Sequence, residues 1–132
     1  MKTIFTNGCF DVLHRGHLEL FKYAKSLGDR LIVGIDSDTR VKANKGVGRP
    51  FNNEEDRIFH LQSIKWIDKV VIFDSDKELV QHLKSHDVHS LVIGSDWKNK
   101  EVVGKNNVKK IVFFDRIDEY STTRILKNGL CD

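Results

Sequence analysis

The chain has 132 residues, 39% hydrophobic and 31% charged, with 22 Lys and Arg against 19 Asp and Glu for a formal charge of +3. That size and balance fit one soluble domain spanning residues 1–132, and the small, dispersed positive excess argues for local anion sites and against a nucleic-acid-binding face. No apolar run approaches the roughly 20 residues of a membrane span, and Cys9 and Cys131 have neither metal-ligand spacing nor the numbers for a disulfide framework, so reduced thiols in the cytoplasm are expected.

Along the chain, apolar runs alternate with amphipathic segments. Ile4-Phe5 opens a short strand that stops at the turn signal Asn7-Gly8. Leu18, Leu20, Phe21, Ala24 and Leu27 follow at helical spacing, with Gly28 in the position a helix C-cap favours. Leu31-Ile32-Val33 is apolar on both faces, which suits a covered parallel sheet. Lys42 to Asn53, with two glycines and the only proline, reads as an irregular loop. Next come a helix through Ile58, Leu61 and Ile64, the strand Val70–Phe73, a helix marked by Leu79, Val80 and Leu83, and the strand Leu91–Ile93 ending at Gly94. Ile111–Phe114 is the last strand, and Ser121 to Asn128 forms a short closing helix. This order predicts an α/β fold: a Rossmann-like, five-stranded, mostly parallel sheet with helices on both faces and a ligand site beyond the strands' carboxyl ends.

The stretch Gly8-Cys9-Phe10-Asp11-Val12-Leu13-His14-Arg15-Gly16-His17 lies between the first strand and the first helix. His14 and His17, three residues apart, put two imidazoles on one side of a helical first turn, and Gly16 between them leaves the backbone open to a phosphate. A helix N-terminus adds N–H donors and a positive dipole end. Two imidazoles there can donate to phosphate oxygens as charge shifts during displacement at phosphorus. Surface histidines and a zinc site compete with this reading, but nothing at usable spacing completes a metal ligand set. Neither G-x-G-x-x-G nor G-x-x-x-x-G-K-[ST] occurs.

Gly8-x-Phe10-Asp11-x-x-His14-x-Gly16-His17 resembles the signature of the cytidylyltransferase-like nucleotidyltransferases, and the similarity extends over nearly the whole chain. The resemblance implies an enzyme that joins a nucleoside triphosphate to a phosphorylated small molecule and releases pyrophosphate, with Mg²⁺ arriving on the nucleotide and no protein metal cage. It gives His14 and His17 the α-phosphate, with Gly8, Cys9, Phe10 and Gly16 around the nucleotide. Asp11 is grouped with the substrate-binding residues, although ordering the loop is its simpler physical role. Ser121-Thr122-Thr123, followed by Arg124, looks like the second signature, suited to the β- and γ-phosphates and equally to an N-cap. Lys45, with Lys42 as second choice, falls where relatives place a lysine on the reacting phosphates. Arg57 matches an arginine near the triphosphate or acceptor, and Lys65, just before Trp66-Ile67-Asp68, stands where relatives often have arginine.

Two branches of the family compete. Gly94-Ser95-Asp96-Trp97 and Arg116 look like glycerol-3-phosphate cytidylyltransferases, with Gly94, Asp96 and Arg116 near the base and Trp97 on the substrate. Leu27–Val33, the Lys45 to Asn52 loop and Lys100–Gly104 look like the adenylyltransferase domain that makes ADP-heptose. CTP with a phosphorylated polyol is the favoured reading, ATP with a heptose phosphate the alternative. A non-catalytic nucleotide sensor and a flavodoxin-like binding domain are readings of another class. Relatives of this size often pair, so a homodimer is the expected assembly, with neither nucleic acid nor membrane as partner.

Overall fold

Leu31, Ile32 and Val33 are all fully buried, which a strand achieves only when both faces of its sheet are covered. The computed structural model describes residues 1–115. Its elements are β1 (Thr3–Gly8), α1 (Arg15–Ser26), β2 (Arg30–Asp36), α2 (Asp38–Lys45), α3 (Glu54–Gln62), β3 (Lys69–Phe73), α4 (Asp76–Ser85), β4 (Ser90–Gly94) and β5 (Lys110–Phe114). Short 3-10 turns at Ser95–Trp97 and Lys105–Asn107 lie between the last two strands. The closing helix expected from Ser121 onward lies outside the described residues.

The five strands are all parallel, in the order β3-β2-β1-β4-β5, so the expected Rossmann-like architecture is the one that forms. Alternation along each strand sends side chains to two cores. Ile4, Leu31, Val33 and Val92 pack with Phe21 and Ala24 of α1 and Leu61 of α3. Phe5, Ile32 and Leu91 pack with Leu79 and Leu83 of α4 on the other face. The chain builds outward from β1 through β2 to β3, then crosses to β4 and β5. The strand order therefore switches between β1 and β4, and the crevice expected there opens beside Gly8 and Gly94, where those two strands end.

Two local expectations change. The loop predicted from Lys42 starts later, because α2 carries the chain as far as Lys45. Val41 is the only buried residue of that helix, so apolar periodicity gave no signal. The available clue was polar: Ser37 caps α2 by accepting from the Arg40 N–H, and Asp38 sits in the first turn. Gly28 does follow the Leu27 C-cap, but close packing rather than a left-handed backbone demands glycine. A Cβ there would lie 2.7 Å from the Lys2 carbonyl oxygen.

At the amino ends of the strands, Asp68 Oδ2 accepts from Lys25 Nζ at 2.6 Å and from the Leu31 N–H at 2.8 Å. Burial pushes this carboxyl upward, but the Lys25 ammonium and the backbone donor outweigh it and hold the pKa below the ordinary 3.8. A depressed folded-state pKa contributes stability above the unfolded value, lost as pH falls through the folded one. Asp68→Asn should therefore lower the urea midpoint at neutral pH, with the gap to wild type closing in acid below 3.8. A gap independent of pH would assign the effect to packing instead of charge.

Candidate active site

The loop after β1 is shaped from beneath by aromatic packing. Phe10 takes a left-handed backbone (φ 49°), unusual for a bulky residue, and buries its ring edge-on to Phe21 and His17 at 5.1 and 5.4 Å. His17 thus rests on the hydrophobic core.

His14 is the N-cap of α1. Its Nδ1 accepts the Gly16 N–H at 3.0 Å, and His17 Nδ1 accepts the His14 N–H at 3.3 Å, a capping box built from two imidazoles. The rings stack with centroids 3.8 Å apart and planes 25° from parallel. Because each Nδ1 receives a backbone proton, each neutral ring carries its own proton on Nε2. The two rings, one on the N-cap and one on the third helical residue, thus share one tautomer at the start of α1. This corrects the expectation for the backbone: the Gly16 N–H belongs to His14, and the His17 N–H goes to the His14 carbonyl at 3.0 Å. Any anion held at this turn is held by imidazole edges more than by these two amides.

Asp11 is buried and spent on the loop after α2. Its carboxylate accepts from the Phe51 and Asn52 N–H groups at 2.6 and 2.7 Å and from Arg49 Nε at 3.2 Å. Asn52 Nδ2 donates back to the Asp11 carbonyl at 2.7 Å. Asp11 orders this loop, as its physical reading held, and its grouping with substrate contacts is corrected.

Arg57 is neither the substrate contact expected nor a solvent-facing helix residue. It is 0% exposed, the largest side chain in the interior. Nη1 donates to the Cys9 and Asp36 carbonyls at 2.9 and 2.8 Å, Nε to the Asn52 carbonyl at 3.1 Å, and Nη2 to Asp38 Oδ1 at 2.8 Å. Four segments converge on one guanidinium: the histidine loop, the end of β2, the start of α2 and the loop that Asp11 holds.

A cleft of about 420 Å³ opens at the carboxyl ends of the strands. Gly8, Cys9 and Phe10 line it from β1 and its loop, Gly94 and Trp97 from the end of β4, and Lys45 from the last turn of α2. Lys42, one turn earlier, is exposed and is absent from this lining, which favours Lys45 of the two; His14, Gly16 and His17 are absent from it as well, so the cleft meets the histidine loop at Gly8, Cys9 and Phe10 and not at the imidazoles. Asp96 is exposed in the 3-10 turn beside Trp97, and Trp97 stacks under Lys100 with Nζ 5.3 Å from its ring centroid. Lys65 is corrected: it is exposed over Trp66 at the opposite edge of the sheet, where Asp68 N–H meets the Leu31 carbonyl before β3 begins. Arg116, Ser121, Thr122 and Thr123 lie outside the described residues.

Burial pushes the Cys9 thiol pKa up, only partly opposed by Lys45 and Arg57, so at neutral pH it is a protonated thiol and a poor nucleophile. Three cleft residues went unread in the sequence. Arg40 donates through Nε to Asp36 Oδ1 at 2.7 Å and through Nη2 to Asp76 Oδ1 at 2.6 Å, and all three line the cleft. The one signal was the i, i+4 spacing of Asp36 and Arg40, which suggests only an ordinary ion pair.

Arg57→Ala should cost roughly 3–5 kcal/mol, as removing one partner of a buried ion pair does, and Arg57→Lys should recover only part of that. Chemical denaturation of the two variants checks it, and a loss under 1 kcal/mol for alanine would show that the clamp is dispensable.

The cytidylyltransferase-like family profile matches residues 5–128. Among curated relatives, the chain is 47% identical over 96% of its length to the bifunctional protein HldE of Campylobacter concisus, and 46% identical over 96% to HldE proteins of Helicobacter pylori and Nitratiruptor. It spans only 26–27% of the length of those relatives. A lipopolysaccharide core biosynthesis protein from Thermoplasma volcanium shares the fold, with a TM-score of 0.74 over 89% of this chain and 99% of that one at 23% identity. With its histidine-capped helix at the strand-order switch and a family match running almost end to end, this chain belongs to the cytidylyltransferase-like nucleotidyltransferases.

Proposed function

We propose that this domain transfers the adenylyl group of ATP to a heptose phosphate, releasing pyrophosphate and giving ADP-heptose. The observation that carries this reading is the 46–47% identity to HldE proteins across nearly the whole chain. The alternative with CTP and glycerol 3-phosphate, favoured by Gly94-Ser95-Asp96-Trp97 and Arg116, rests on two short matches and gives way to that breadth. Val102 and Val103, in the stretch resembling the ADP-heptose branch, line the cleft.

In the proposed reaction an oxygen of the acceptor phosphate attacks the α-phosphorus in line. A new P–O bond forms as the bond to the β-phosphate breaks, and the electron pair leaves with pyrophosphate. The acceptor is already an anion, so no covalent enzyme intermediate is needed, which accords with the protonated state of Cys9. His14 and His17 would donate from Nε2 to the α-phosphate oxygens as charge accumulates, their direction fixed beforehand by the capping box. Lys45 would neutralise the approaching phosphates. Ser121, Thr122 and Thr123 are proposed for the β- and γ-phosphates on the motif alone. Mg²⁺ is proposed to enter bound to the triphosphate, as it commonly does at sites that handle nucleotides.

His17→Ala should lower kcat roughly a hundredfold to a thousandfold, the usual cost of one preorganised transition-state donor. Since the side chain also accepts the His14 N–H, a stability loss of about 0.5–2 kcal/mol should accompany it and be measured separately. Pyrophosphate release with ATP or CTP against a heptose phosphate or glycerol 3-phosphate tests the branch: ATP with the heptose phosphate should exceed the other three pairings. Turnover only with CTP and glycerol 3-phosphate would reverse the assignment. Lys45→Ala should reduce kcat far more than Lys42→Ala, and the opposite ranking would move the role to Lys42.

A further inference from the structure

The cleft is chemically uneven. Gly8, Cys9 and Lys45 line it together with Asp36, Arg40, Asn44 and Asp76. Leu79, Val102 and Val103 supply apolar wall beside them. Arg40 and Asn44 are four residues apart on α2, so they share a helix face, and both line the cleft.

The two carboxylates are oriented with care. Arg40 Nε binds Asp36 Oδ1 and Nη2 binds Asp76 Oδ1, at 2.7 and 2.6 Å, with the guanidinium carbon 5.4 Å above the Phe73 ring centroid. Burial works against the charge of Arg40, but Asp76 and Asp36 outweigh it and its pKa is raised. One oxygen of each carboxylate is thus fixed, and neither Oδ2 has a hydrogen-bond partner among the described residues. With one guanidinium between two carboxylates, the cluster keeps a net negative charge. It repels phosphate and accepts hydrogen bonds from hydroxyl groups.

We infer that Asp36 and Asp76, held by Arg40, with Asn44 beside them, form a polyol-recognising wall that selects a long, hydroxyl-rich acceptor over a three-carbon one. This deepens the proposed function and rests on its placing a sugar phosphate in this cleft. The acceptor's phosphate is directed to Lys45, and its hydroxyl-bearing carbons extend toward the carboxylates. A cleft of about 420 Å³ lies within the ~300–1,000 Å³ of small-molecule sites, and glycerol 3-phosphate would leave much of this wall untouched. Asp36 is fixed in the backbone as well, because its carbonyl accepts from Arg57 Nη1.

Isothermal titration of the intact protein with a heptose phosphate, glycerol 3-phosphate and ATP, each alone, tests the inference without requiring turnover. Wild type should bind the heptose phosphate more tightly than glycerol 3-phosphate. Asp76→Asn and Asp36→Asn should each weaken heptose phosphate binding about tenfold or more, as loss of a charge-assisted hydrogen bond does, while ATP and glycerol 3-phosphate affinities stay within about twofold. A purely structural ion cluster would lower the unfolding midpoint and leave the ratio of the two acceptor affinities unchanged, which would overturn the inference. Wild type showing no preference for the heptose phosphate, or binding neither acceptor, would overturn it too. Selective binding without pyrophosphate release from ATP would uphold this wall and refute the proposed reaction, so the two failures are distinguishable.

Discussion

A single buried guanidinium holds the catalytic end of this domain together. Arg57 has no exposed surface, and its four hydrogen bonds reach the histidine loop, the carboxyl end of β2, the first residue of α2 and the loop beyond α2. Carbonyls at strand ends and loop turns have no ladder partner, and burying them unsatisfied would cost about 1–3 kcal/mol each. Arg57 satisfies three such carbonyls and pairs its charge with Asp38. Asp11 does the complementary work with N–H groups, taking those of Phe51 and Asn52. Between them, a buried cation for acceptors and a buried anion for donors tie the loop that leads to His14 to the start of α2, the helix that ends at Lys45.

The two histidines have a structural duty beside the one proposed for them in the reaction. As N-cap and third helical residue they close the amino end of α1, and in doing so each Nδ1 accepts a backbone proton. The tautomer of both rings is thus set by helix geometry, and it is the one the proposed phosphate contact needs. Phe10, strained into a left-handed backbone, supports the His17 ring edge-on from the core. In the proposed displacement, whose nucleophile is already charged, positioning of this kind would carry most of the work.

Much of this was legible in the sequence, and the exceptions have a common physical origin. Strands such as Leu31–Val33 and the helix through Phe21 and Ala24 advertise themselves by apolar pattern, because burial on a sheet or helix face is a local property. The glycine-aspartate-histidine spacing within one loop pointed to the carboxyl end of β1, where Gly8, Cys9 and Phe10 line the cleft. What pattern could not supply was direction. Arg57 reads identically as a surface helix residue, a phosphate ligand or a buried clamp, since its partners lie between 5 and 48 residues away. Lys65 matched an expected position yet falls at the amino edge of the sheet. The Asp36–Arg40–Asp76 cluster joins the end of β2 to α2 and to the start of α4, a juxtaposition that exists only after the sheet has formed. Helix α2, with one buried residue, lacked the periodicity that reveals its neighbours.

The imidazole capping box also constrains how such a domain can change over evolutionary time. In most enzymes a catalytic side chain is a burden on the fold, and its loss is tolerated or even stabilising. Here the proposed chemistry and the start of α1 would share the same two rings, so discarding one histidine frees a backbone amide that needs a new acceptor. Drift toward inactivity is opposed by folding itself, and an inactive descendant would be expected to carry Ser, Asp or Asn at position 14, restoring the cap after the reaction has been abandoned.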